Sequence, residues 1–431
     1  MAKGLQRVNV AKISLWGKYV GAISWDAGRQ FASFEYSDEF LTDGYDISPV
    51  NVPRRKGIFT YPNLNNETFL TLPGFLADSL PDRFGNALID AWLAQEGRSK
   101  EDFNPVERLC YVGSRGIGAL EFKPSILPRA GTSVPLEVAR LVDLAQKILD
   151  ERGNLRVGLK DQDALDAIFR IGTSAGGARA KALIAWNRDT NEVRSGQTLP
   201  PPGFESWIIK FDGVRDDLLG EAQGYGRIEY AYHTMAVAAG ISMMECRLFE
   251  EGGRAHFMTR RFDRTADNEK IHMQSLCGIS HLDFRLAGAH GYEQAFELII
   301  HLNLGYKDLV EMFRRMAFNV VARNQDDHTR NIAFLMDQSG SWKLAPAYDM
   351  IWAFNPAGLW TNLHQMSIQG KRDTIDRSDL VSVGKQFGIK SANKIIDTVV
   401  AAVLRWPEFA AAAGVPSGKI ADIKSTQRLD T

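Results

Sequence analysis

Cysteine is scarce: Cys110, Cys246 and Cys277 are the three in 431 residues. They lie far apart with no CxxC pair, which excludes a disulfide framework and a clustered zinc site. An excess of charge of either sign is also missing. Lys+Arg of 51 stand against Asp+Glu of 52, so the chain lacks the strongly basic balance of a dedicated nucleic-acid protein. Long apolar runs are absent too. No stretch reaches the roughly 18 residues of a membrane span, and the opening MAKGLQRVNVAKISLW has no apolar core of the kind a secretory leader needs. The expectation is a cytoplasmic protein with reduced thiols. What remains is ordinary globular material, 45% hydrophobic and 24% charged, long enough for about two to four folding units.

The apolar pattern changes along the chain. Val8, Val10, Ile13 and Leu15, then Val20, Ile23 and Trp25, then Phe31, Phe34 and Tyr36 make strand-forming runs parted by Gly17-Lys18 and Ala27-Gly28, which predicts a small antiparallel sheet or barrel. Phe84, Leu88, Ile89 and Trp92 recur at helical spacing within 81–98. Pro124, Pro128 and Pro135 then interrupt the chain and predict a boundary near 125–135. Beyond it come helices at 136–150 and 160–171, strands KALIAW (181–186), SWIIKF (206–211) and AHFMTRRF (255–262), and a helix over 227–239 closed by Gly240. From about 270 the pattern is helical, with Leu309, Met312, Phe313, Met316 and Val320 on one face of 308–322. The predicted class is α+β in three parts: residues 1–130 β-rich with helices, 131–265 strands around a glycine loop, and 266–431 helical.

The sharpest concentration of chemistry is RNQDDHTRN at 323–331, which places Asp326, Asp327, His328 and Asn331 directly after the apolar helix. Asp349 follows in PAYDM, 18 positions after Asn331. Asp-x4-Asn with a later Asp beyond a hairpin is the spacing of a protein-kinase catalytic loop and its metal-binding aspartate. Phosphoryl transfer needs a carboxylate to orient and deprotonate the attacking hydroxyl, and magnesium held by oxygen ligands against the phosphates. Asp326 fits the first role, and Asn331 and Asp349 fit the second. Two other readings stay open at this level. An Asp/Asn-rich loop can cap the following strand, and Asp326, Asp327 and His328 can furnish ligands for a hydrolytic divalent metal, although the chain has only eight histidines.

TSAGGARAKALIAW at 173–186 sets Ser174, Gly176 and Gly177 before Lys181. Such glycines let backbone N–H groups approach phosphate oxygens, yet the string is not a Walker loop and an ordinary hairpin turn explains it equally. Lys210 ends the apolar strand SWIIKF, either snorkelling to water or aimed at a phosphate. Glu229, early in the next helix, either pairs with one of these lysines or answers the helix dipole. Glycine loop, strand lysine, helix, strand, Asp-x4-Asn loop and later Asp are together the order of parts in a two-lobed kinase.

With LPGFLADSLPDRFG (72–85), YVGSRGIGAL (111–120), SAGGARAK (174–181), IIK (208–210), RRFDR (260–264), NQDDHTRN (324–331) and PAYD (346–349), the chain resembles the HipA family of bacterial toxin serine/threonine kinases over nearly its whole length. The resemblance implies a bilobal kinase fold with a small β-rich N-terminal subdomain and a mainly helical C-terminal lobe. It implies ATP and Mg2+ as cofactors and a protein serine as acceptor, in the best-known members on glutamyl-tRNA synthetase, an aminoacyl-tRNA synthetase. It also implies a small helix-turn-helix antitoxin of the HipB type that carries the toxin onto operator DNA, with no membrane involved.

Residue by residue, the resemblance makes Asp326 the base, His328 and Asn331 nucleotide and magnesium contacts, and Asp349 the second magnesium ligand. Lys210 becomes the phosphate lysine, and Ala175, Gly176, Gly177, Ala178, Arg179 and Lys181 the loop over the nucleotide. Arg260, Arg261 and Phe262 match the hinge that holds adenine by its backbone, and Ser174 the serine that family kinases autophosphorylate. Roughly two added negative charges there would repel ATP phosphates and switch the enzyme off. Family members often carry an acidic residue where Arg260 stands and glycine where Asp327 stands, so backbone contacts at Arg260 are expected to survive, and the role of Asp327 stays open. A nucleotide-binding corepressor without catalysis remains the leading alternative. Lys371, Arg372, Lys385, Lys390 and Lys394 read as a solvated face rather than a DNA contact.

Overall fold

In β1 (Val10–Leu15) every second side chain is buried, Ala11, Ile13 and Leu15 having no exposed surface, which is the period of a strand with one face on a core. β1 pairs antiparallel with β2 (Lys18–Asp26), and β2 with β3 (Phe31–Tyr36), setting Ile23 opposite Phe34. β4 (Ile58–Thr60) and β5 (Leu120–Lys123) complete a sheet of order β4-β3-β2-β1-β5. Gly21 is required where β2 meets β3, because a Cβ there would overlap the carbonyl of Glu35.

The computed structural model describes residues 7–126, 135–150, 179–214 and 224–431. The helix expected at 160–171 and the positions Ser174 to Ala178 lie outside the described residues. The chain divides into two units, one of Met1–Gln223, Phe249–Gln274 and Met336–Gly340, the other of Gly224–Leu248, Ser275–Leu335 and Ser341–Thr431.

In the first unit a second sheet has the order β7-β6-β8-β10-β9, from β6 (Lys181–Asn187), β7 (Val193–Ser195), β8 (Phe204–Lys210), β9 (Cys246–Glu251) and β10 (Arg254–Arg260). Its apolar positions Ala182, Ile184, Trp207, Ile209 and Met258 pack with α1 (Arg83–Gln95) and α3 (Val138–Asp150). Between those helices, α2 (Pro105–Val112) opens with a reciprocal capping box of Asn104 and Glu107. The register sets Lys181 opposite Lys210 and Phe257 opposite Lys210, placing both lysines at one end of the sheet.

The second unit is mainly helical: α4 (Tyr225–Ala238), α5 (Tyr292–His301), α6 (Tyr306–Val321), α7 (Arg377–Gln386), α8 (Ala392–Leu404), α9 (Trp406–Ala412) and α10 (Ser417–Thr426). Tyr232, Phe296, Phe313, Met316 and Trp406 lie in its large core. The expectation of helix from about 270 onward needs correction, since β11 (His272–Ser275) precedes the helices. A hairpin of β12 (Ala333–Met336) and β13 (Trp342–Leu344) follows the loop of residues 323–331. Strand AHFMTRRF ends at Arg260, two residues earlier than expected. Among the described residues no helix is long and apolar enough to cross a membrane, and all three cysteines are buried and unbridged.

Candidate active site

The apolar face of α6 carries the chain to Val321, and the loop beyond it folds around one carbonyl. His328 N–H and Asn331 Nδ2 both donate to the backbone oxygen of Asp326, at 3.0 and 2.8 Å, and Asn331 N–H donates to His328 O at 2.8 Å. With Nδ2 committed to the loop, the amide oxygen of Asn331 is its free acceptor end. The Asp326 side chain keeps 42% of its surface exposed, and Trp360 Nε1 donates to its Oδ1 at 2.6 Å. Its carboxyl is raised above the ordinary carboxylate range, chiefly by desolvation, with the negative charges of Asp349 and Asp327 adding, while His328 and the indole N–H oppose.

Asp349 reaches this loop from the strand side. Tyr348 Oη donates to Arg330 O at 2.5 Å and Asn324 Nδ2 to Asp349 O at 3.4 Å. Asp349 itself is held at φ 53°, a left-handed conformation that L residues rarely adopt and that commonly marks functional positions.

Asp327 points the other way. Tyr292 Oη and His364 Nδ1 donate to its Oδ2 and the Gln365 backbone N–H to its Oδ1, each at 2.8 Å. Asn319 donates onward to the Tyr292 hydroxyl at 2.8 Å. Burial and the Asp327 charge push the Tyr292 hydroxyl well above its ordinary range. A buried carboxylate taking three hydrogen bonds is an internal anchor, which removes Asp327 from the ligand set of the metal-dependent hydrolase reading. Among the described residues no three His, Cys, Asp or Glu side chains gather as a metal-binding group.

His328 is buried against Phe284, ring centroids 5.1 Å apart, and its Nδ1 has no hydrogen-bond partner. A buried unpaired ring nitrogen is costly unless another group completes it, and a nucleotide is one such group. Asn331 and Asp349 offer an amide oxygen and a carboxylate, the donor types magnesium prefers when phosphates and water fill its remaining positions. The residues therefore fit Mg-ATP.

In the first unit Lys210 Nζ lies 5.6 Å from the Phe257 ring centroid. Lys181, by contrast, is buried, with Nζ 3.6 Å from Asp82 Oδ2. Arg179 is half-buried ahead of β6. At the hinge-like segment Arg260 lies 3.9 Å from Glu205, and Arg261 N–H donates to Ser206 O at 3.0 Å. The Arg261 side chain is buried and turned onto Asp263, so it is committed within the fold. Trp360, His364, Gln365 and Tyr292 carried no motif signal, since single polar or aromatic residues in a loop and on a helix face follow no period.

Two family models match the chain: the HipA N-terminal domain over residues 11–123 and the HipA-like C-terminal domain over residues 173–406. Two Sinorhizobium fredii proteins are similar in sequence. "Putative kinase Y4mE" is 24% identical over 363 residues, 80% of this chain and 78% of its own. "Putative kinase Y4dM" is 26% identical over 173 residues, 36% of this chain and 40% of its own. Among solved structures, HipA from the Shewanella oneidensis complex of HipA, HipB and operator DNA shares the fold, with a TM-score of 0.66 and 17% identity over 96% of this chain and 95% of that one.

Proposed function

The chain belongs to the HipA family, and on that premise we propose that it is a toxin-type serine/threonine protein kinase using Mg-ATP. The observation that carries the reading is Asp326, whose carboxyl is partly exposed beside Asn331 and Asp349 in one folded loop system. Asp326 takes the proton of the acceptor hydroxyl, Lys210 and the loop from Ala175 to Arg179 hold phosphate oxygens, and the backbone of Arg260 to Phe262 holds adenine. Magnesium, when bound, neutralises charge on the phosphates; Asn331 and Asp349 are its ligands, and His328 Nδ1 turns to the nucleotide.

The same reading makes Ser174 the site of inhibitory autophosphorylation and gives the chain a HipB-type antitoxin, operator DNA through that antitoxin, and an aminoacyl-tRNA synthetase as substrate. The neutral overall charge suits a protein that meets DNA through a partner.

The test is incubation with labelled ATP and magnesium, wild type beside Asp326→Gln, followed by intact-mass and peptide analysis. One phosphate on Ser174, absent from the variant, supports the kinase. Nucleotide binding by calorimetry without phosphate in either protein overturns it in favour of the corepressor.

A further inference from the structure

Asp326 takes its side-chain hydrogen bond from a residue outside the loop, 34 positions downstream. The Trp360 contact is no stray approach of a surface ring, because the segment that carries it is fastened to the same loop elsewhere. His364 and the Gln365 backbone hold the two oxygens of Asp327. Gln365 Nε2 donates to Gln325 O at 3.4 Å and also to the carbonyl of Trp360 itself. The indole lies edge-on to His328, centroids 6.5 Å apart. Residues 360–365 thus clasp residues 325–327, with the indole N–H at one end of the clasp.

A carboxylate base must present one chosen oxygen, yet rotation about Cβ–Cγ exchanges the two. His328 Nε2 stands 3.9 Å from Oδ1, too far to hold the group by a hydrogen bond. Among the described residues no hydrogen-bond donor reaches Oδ2. We propose that Trp360 is a positioning residue whose indole N–H pins Oδ1 of Asp326 and so presents Oδ2 to the acceptor hydroxyl. The proposal rests on the kinase reading above.

In the transfer step the hydroxyl oxygen forms its bond to the γ-phosphorus, and the bond from that phosphorus to the β–γ bridging oxygen breaks, its electron pair leaving with ADP. The hydroxyl proton passes to Oδ2. Oδ1 accepts the indole N–H before and after, so no hydrogen bond has to be remade during the step, which is the advantage of a preorganised site.

The experiment uses the full chain, with autophosphorylation from labelled ATP and magnesium as the readout. Trp360→Phe keeps an aromatic ring beside His328 and removes the N–H donor together with part of the indole's bulk. The rate at saturating ATP should fall by about tenfold to a hundredfold, the range expected when a reacting group is misoriented, while KM for ATP stays unchanged. Leu359→Ala, a substitution at the exposed neighbouring position, should leave both values unchanged. A rate within about twofold of an active wild type overturns the role of Trp360 and leaves the kinase standing; no transfer by nucleotide-bound wild type overturns both.

A second measurement does not depend on turnover. In protein labelled with 15N-tryptophan, the indole resonance lost in Trp360→Phe should move upfield in Asp326→Ala. An unmoved resonance overturns the proposed bond.

Discussion

Asp263 accepts the backbone N–H of Gly118 at 2.8 Å, across 145 positions of sequence. The same carboxylate holds Arg261 through Nε at 2.9 Å and Nη2 at 2.7 Å, and Arg264 at 2.8 Å. RRFDR and YVGSRGIGAL, two separate strings in the chain, are therefore one buried node. Gly118 stands in the left-handed region at φ 77°, and its N–H meets the acid that two arginines neutralise.

Removing that acid leaves two buried guanidinium groups without their counter-charge. Asp263→Asn should cost about 3–5 kcal/mol, the usual penalty for breaking a buried ion pair from one side, read by chemical denaturation at pH 7.

The cost should also depend on pH. Burial alone would raise the Asp263 carboxyl, but the charges of Arg261 and Arg264, the Arg261 hydrogen bond and the Gly118 N–H outweigh it and hold the group well below the carboxylate range. The folded state therefore binds this proton less readily than the unfolded state. Its contribution is present above about pH 4 and is lost as pH falls below that. The stability gap between wild type and Asp263→Asn should narrow between pH 7 and pH 3; an unchanged gap would show that the carboxylate charge contributes nothing.

Asp327→Ala strands three donors: the Tyr292 hydroxyl, His364 Nδ1 and the Gln365 N–H. At about 1–3 kcal/mol for each buried unsatisfied group, the variant should lose several kcal/mol in denaturant titrations. Tyr292→Phe removes one of these bonds and should cost less than Asp327→Ala. Equal losses would show that the His364 and Gln365 bonds to Asp327 add nothing measurable beyond the Tyr292 bond.

The two strand lysines should separate by assay. Lys181 is 2% exposed and faces Asp82, equally buried. Lys181→Met should therefore lower stability by about 3–5 kcal/mol. Lys210→Met should lose less stability than Lys181→Met but bind ATP at least about tenfold more weakly, since a phosphate contact is a charged interaction of more than 1.4 kcal/mol. Calorimetry with ATP, beside denaturation, measures both.

Asp349→Asn should leave nucleotide binding without magnesium unchanged while raising the magnesium concentration needed for half-maximal transfer, because one carboxylate ligand becomes neutral. A magnesium titration of autophosphorylation measures the shift.

Local pattern sufficed for much of this protein. β1, β6 and β8, and helices α1 and α6, fall where alternation or three-and-four spacing put them, since both periods are written in neighbouring residues. Asp326, Asn331 and Asp349 stood out as candidates for a similar reason, being set at a short fixed spacing. Only the tertiary structure decided what the remaining polar groups do. Adjacent aspartates parted company: Asp326 stays half-open under Trp360, whereas Asp327 turns inward to Tyr292 and His364. The same holds for Lys181, paired with an acid far upstream, and for Asp263, joined to Gly118. A buried charge takes its role from whichever groups the fold brings within a hydrogen bond of it, and no local period in the chain encodes a partner 35 or 145 positions away.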